Sequence, residues 1–108
     1  MENEIKNLYN TILERKISGE NGSYTNYLFA QGINKILKKV GEECTEVIIS
    51  SKENNREEQV NEICDLTYHI LVLMAELNIP LEDIKNELKK RSEKINNFKG
   101  ERKPIKRY

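Results

Sequence analysis

Five acidic residues fall into two short runs, Glu42-Glu43-Cys44-Thr45-Glu46 and Glu62-Ile63-Cys64-Asp65. Residues three or four apart share a helix face, with Cβ atoms about 5–6 Å apart. On helices, Glu42 and Glu43 therefore each project beside Glu46, and Glu62 beside Asp65. With Asn54-Asn55 at a turn, Glu46 lies eight residues before Asn54 and Glu62 seven residues after Asn55, so an antiparallel hairpin brings the two runs level. Carboxylates converging in a partly buried cleft repel one another and are costly to keep ionised without a cation. Oxygen-only ligands favour Mg²⁺, or Mn²⁺, over zinc or copper, and such an ion binds substrate phosphates as readily as it binds carboxylates. A single ExxE or ExxD is more often a solvated face than a ligand pair. Here Glu43 and Glu46 flank the stripe of Val40, Cys44, Val47 and Ile48, while Glu62 and Asp65 border Ile63, Cys64 and Leu66. Both runs thus sit at the edge of the apolar pattern.

The elements that must position these acids are helices. Ile5, Leu8, Tyr9, Ile12 and Leu13 follow the i, i+3, i+4, i+7, i+8 spacing of an amphipathic helix that ends near Lys16. The turn formers from Ser18 to Ser23 read as a loop, after which Ser23 or Thr25 caps a short helix running to Gly32. A long helix is predicted from Ile33 to about Lys52, and a second runs through Val60, Ile63, Cys64, Thr67, Ile70, Leu71, Met74 and Leu77 to about Asn78. The few residues between them force an antiparallel pair. Pro80 followed by Glu82 and Asp83 opens a last helix carrying Ile84, Leu88 and Arg91. The fold class is all-α, an antiparallel bundle of four to five helices over residues 1–98, with a basic tail at 99–108.

At 108 residues the chain supports one core. Residues 1–88 hold sixteen acids against nine bases, and residues 89–108 two acids against nine bases. The body is acidic and the tail basic, and a solvated tail is the plainer account of such a run. Zero net charge and the lack of a basic, aromatic-bearing recognition surface argue against a nucleic-acid partner. No apolar run approaches the ~20 residues of a membrane span, and the N-terminus lacks secretory features, so the expected location is the cytoplasm. Cys44 and Cys64 have no CxxC pairing and read as small apolar residues rather than zinc ligands. The segment Ile70-Leu71-Val72-Leu73-Met74 is apolar around more than one face, which points to a homodimer.

Glu42-Glu43-x-x-Glu46 followed by Glu62-x-x-Asp65 resembles the EExxE…ExxD signature of the MazG-like all-α nucleotide pyrophosphohydrolases. Gly22-Ser23-Tyr24-Thr25, Leu28-Phe29, Gly32, Lys35-Ile36, the run from Lys38 to Glu43, and Asp65-Leu66-x-Tyr68-His69 narrow the resemblance, over about residues 5–91, to the phosphoribosyl-ATP pyrophosphatases of histidine biosynthesis. That resemblance implies hydrolysis of phosphoribosyl-ATP between its α and β phosphates, giving phosphoribosyl-AMP and pyrophosphate. It also implies that Glu43, Glu46, Glu62 and Asp65 bind Mg²⁺, and that Glu42 is a further ligand or acts on the attacking water. Glu42 and Glu46 are accordingly the candidate catalytic groups. A house-cleaning MazG-type enzyme acting on nucleoside triphosphates shares all five acids and is the alternative.

Lys38 and Lys39 lie one turn before Glu42 and Glu43, close enough to pair with them or to contact substrate phosphates, and Lys35 is a weaker candidate on the same helix. Tyr24 and Thr25 stand at the entrance of the short helix, where backbone N–H groups meet a phosphate or simply cap the helix. His69, four residues after Asp65, is expected to orient a metal ligand from behind rather than to bind the ion. Gly41 within a helix costs about 1 kcal/mol relative to Ala, which suggests close approach by substrate or a partner helix. Tyr68 is expected to pack within the bundle.

Overall fold

The computed structural model describes residues 2–19 and 22–96, and contains five helices with no strand among the described residues. They are α1 (Glu2–Ser18), α2 (Tyr24–Gln31), α3 (Ile33–Lys52), α4 (Arg56–Glu76) and α5 (Leu81–Asn96). The tail read at 99–108 lies outside the described residues. No single helix among the described residues is long and apolar enough to cross a membrane.

Local chemistry fixes the helix ends. The Ser23 hydroxyl accepts from the Asn26 N–H and begins α2; the alternative cap, Thr25, lies inside the helix. Gly32 separates α2 from α3 at φ +91°, a backbone region that L side chains rarely adopt. The Asn55 side chain accepts from the Glu58 N–H at 3.0 Å, and Glu57 and Glu58 place negative charge on the first turn of α4. The connection between α3 and α4 is therefore only Glu53 to Asn55, and the two helices form the most extensive pair in the fold.

The buried core is contributed by Tyr9 and Ile12 of α1, Leu28 of α2, Ile36 of α3, and Leu71, Val72, Met74 and Ala75 of α4. It thus gathers at one end of the α3–α4 hairpin. The Tyr9 hydroxyl donates to the Ile79 carbonyl, and the Lys16 ammonium donates to the Ala75 carbonyl at 2.7 Å and to Asn78 Oδ1 at 3.1 Å. These bonds fasten α1 to the C-terminal end of α4, whose last carbonyls have no helical partner.

The far half of the hairpin is different. Ile48 and Ile49 of α3 and Val60 and Ile63 of α4 are exposed, as are Cys44 and Cys64, and beside the core Leu37 and Ile70 are exposed on the other faces of their helices. The spacing that marks these positions as apolar is present, but the described residues of one chain leave them largely uncovered. Helix α5 leaves α4 at 115° and also exposes Ile84 and Leu88.

Candidate active site

Level placement of the acidic runs follows from the short turn. One carboxylate oxygen each from Glu43 on α3 and from Glu62 and Asp65 on α4 lie within 4.8 Å of one another. Glu62 is buried, at 8% exposure, and Glu43 and Asp65 are half-buried. Burial raises the Glu62 pKa above the ordinary carboxylate value, and the charges of Asp65, Glu46, Glu43 and Glu58 raise it further. Glu46 is exposed and stands outside the trio, yet within electrostatic reach of Glu62. Glu42 is turned outward to Lys39, whose ammonium is 3.2 Å from Glu42 and 3.8 Å from Glu43. Desolvation lowers the Lys39 pKa, but the hydrogen bond to Glu42 and the attraction of Tyr24, Glu42 and Glu43 outweigh it and leave the pKa raised. Lys39 is therefore a fixed positive charge at the edge of the acids.

The donor set fits a hard cation. It consists only of carboxylate oxygens, and beyond the burial that chiefly raises the Glu62 pKa, the neighbouring Asp65, Glu46, Glu43 and Glu58 charges add a repulsion that a cation would relieve. Two oxygens on one Mg²⁺ lie at most about 4.2 Å apart, twice the metal–oxygen distance. Side-chain torsions of the two glutamates can close the remaining gap.

Behind the trio, His69 is buried and fully bonded. Its Nδ1 lies 2.7 Å from the Asp65 carbonyl oxygen and its Nε2 3.1 Å from the Tyr24 hydroxyl. The carbonyl can only accept, so Nδ1 carries the proton, Nε2 is the acceptor and Tyr24 O–H donates. Burial raises the Tyr24 pKa; Lys39 opposes this, and Tyr68, Glu43 and Tyr27 add to it, so the phenol keeps the proton that it donates. The Thr25 hydroxyl is bonded to the Tyr68 hydroxyl at 2.5 Å and is buried. Tyr24 keeps a large exposed area, whereas Thr25 faces the interior. Lys35 lies 5.9 Å over the Tyr27 ring, and Lys38 is exposed one turn before Glu42. A Cβ added at Gly41 would meet nothing within 4 Å, so no part of the described chain requires glycine there.

The description "Phosphoribosyl-ATP pyrophosphohydrolase" matches residues 5–92. A protein of Clostridium acetobutylicum named phosphoribosyl-ATP pyrophosphatase is 64% identical, with 95% of this chain and 94% of the relative covered. Proteins of the same name from Clostridium novyi, 57% identical with 94% and 92% covered, and Bacillus mycoides, 55% identical with 97% of each covered, align equally fully. The chain belongs to the phosphoribosyl-ATP pyrophosphohydrolase family. Membership places it in histidine biosynthesis and favours phosphoribosyl-ATP over the nucleoside triphosphates of the alternative reading.

Sequence reasoning singled out the acids, Lys39, Tyr24 and His69, which the structure brings to one end of α2 and the α3–α4 pair, and did not single out Tyr27. Tyr27 follows Tyr24 by three residues on α2, and their rings are stacked with centroids 6.0 Å apart. The i, i+3 aromatic spacing was the available signal.

Proposed function

We propose that this chain is a Mg²⁺-dependent phosphoribosyl-ATP pyrophosphatase that releases pyrophosphate and phosphoribosyl-AMP by hydrolysis between the α and β phosphates. The observation that carries the reading is the meeting of Glu43, Glu62 and Asp65 across α3 and α4 in a chain of this family. These three residues would hold the metal, with Glu46 at the rim as a fourth carboxylate. Bound there, Mg²⁺ supplies charge neutralisation at the phosphate oxygens and acidifies a water molecule. Glu42, whose Oε1 pairs with Lys39 beside the trio, would orient the attacking water and accept its proton. Lys39, with Lys38 and Lys35 along α3, lends positive charge to the polyphosphate. His69 fixes the Asp65 segment and the Tyr24 hydroxyl together.

The exposed apolar residues of α3 and α4 support a homodimer. Leu37, Ile48, Val60 and Ile63 lie on the hairpin itself, and a second copy would bury a matching surface by twofold symmetry. Histidine biosynthesis is compatible with a cytoplasmic address.

The test is hydrolysis of phosphoribosyl-ATP and of a panel of nucleoside triphosphates, with Mg²⁺ and after chelation. Turnover of phosphoribosyl-ATP should dominate and should vanish on chelation. Faster turnover of the triphosphates would restore the house-cleaning reading, and metal-independent hydrolysis would overturn the role of the acids.

A further inference from the structure

An aromatic floor extends from the acidic trio. Tyr24 stacks on Tyr68 at 6.1 Å and 28°, and on Tyr27 at 6.0 Å and 24°. Centroid separations near 6 Å between almost parallel rings mean offset stacking, so each ring covers only part of the next. The exposures agree, at 46% for Tyr24 and 45% for Tyr27 (Tyr27 is not among the buried positions of α2). The end of the Tyr24 ring nearest the acids is pinned through His69 to the Asp65 backbone. Tyr24 and Tyr27 also line an open surface groove with Lys16, Ser23, Asn26 and Phe29. Two exposed, offset-stacked tyrosines on an eight-residue helix contribute little to the core, to which α2 supplies the buried Leu28 and the flanking Phe29.

We infer that Tyr24 and Tyr27 form the stacking floor for the purine base of a nucleotide whose phosphates lie at Glu43, Glu62 and Asp65. The inference rests on the metal-phosphate reading of the acids and deepens it by assigning the base its own subsite. A purine is flat, electron-poor at its edges and apolar on its faces, so it gains by covering tyrosine rings that water now contacts. Charge supports the orientation at the acid end, where Lys39 is 3.8 Å from Glu43 and within electrostatic reach of Tyr24, so the phosphates meet a cation beside the trio. His69 is then a positioning residue. It touches no substrate, but its single tautomer locks the Tyr24 ring to the helix that carries two of the three carboxylates.

The test measures, by calorimetry with Mg²⁺ and the full chain, the affinity of an ATP analogue with a methylene bridge between its α and β phosphates and the affinity of inorganic tripolyphosphate. Tyr27→Ala should weaken the analogue roughly 10-fold or more, in line with the loss of one base–aromatic stack, and should leave tripolyphosphate within twofold. Tyr27→Phe should restore the analogue, because it keeps the ring. Equal weakening of both ligands by Tyr27→Ala, or no weakening of either, would overturn the floor while leaving the metal-phosphate reading intact. Failure of wild-type protein to bind tripolyphosphate at all would overturn that reading and the floor with it. Circular dichroism of each variant checks that the helices persist.

Discussion

Replacing Asp65 with asparagine keeps the shape of the side chain and its backbone carbonyl, which accepts from His69, but removes one of the three charges that meet between α3 and α4. A ligand that binds only the folded state stabilises it by RT ln(1 + [L]/Kd). At a Mg²⁺ concentration ten times Kd, wild-type protein gains about 1.4 kcal/mol. For a domain of this size that raises Tm by roughly 6–11 °C. Even an outer contact of a metal site is worth about 10–100-fold in affinity, and a direct ligand no less. With Kd weakened tenfold, the same Mg²⁺ concentration gives Asp65→Asn only about 0.4 kcal/mol, a shift of roughly 2–3 °C. The assay is thermal unfolding followed by circular dichroism at fixed protein concentration, with KCl matching the ionic strength of the Mg²⁺ samples. Glu57→Gln, an exposed change at the start of α4, serves as the control and should respond like wild type. If Asp65→Asn gains as much from Mg²⁺ as wild type does, the cation binds elsewhere and the assignment of the trio is refuted.

Three further outcomes follow from the same geometry. Without metal, the raised Glu62 pKa means that its charged form is disfavoured in the folded state, so stability is full below the ordinary carboxylate value and declines as pH rises through the raised one. Glu62→Gln should abolish that part of the decline in a pH series of chelated samples, and an unchanged slope would contradict the repulsion. His69→Ala leaves the Tyr24 hydroxyl without its acceptor and opens a buried gap, at a cost of about 1–3 kcal/mol; calorimetric unfolding at 1 mM chelator, roughly free of metal linkage, should show the loss, and an equal Tm would sink the proposed latch. Ile63→Glu places a charge on the exposed apolar stretch of α4 and should convert a dimer to monomer by light scattering; a persistent dimer would put the interface elsewhere.

The helices and the level placement of the acids are written in short-range chemistry. The i, i+3, i+4 patterns set the faces, Asn55 caps α4, and a three-residue connection leaves only an antiparallel hairpin, so counting from Asn54 and Asn55 was enough to align Glu43 with Glu62 and Asp65. The local sequence could also place Lys39 and His69 near those acids through their spacing along α3 and α4, whereas Tyr24, on α2, comes to His69 only through tertiary packing. Burial was less legible. Periodicity identifies an apolar face but not what covers it, so Cys44, Ile48, Cys64 and Ile63 read as core positions although one chain leaves them exposed. The direction of polar side chains was also beyond the sequence. Tertiary packing turned Glu42 out to Lys39, committed Thr25 to Tyr68, and gave His69 one tautomer between Asp65 and Tyr24. Each of these choices depends on a partner distant along the chain or on another helix face, and hydrogen-bond geometry and desolvation select among rotamers that a linear pattern treats as equal. The sequence by itself therefore determined which acids could share a site, and only the tertiary structure decided which oxygens meet.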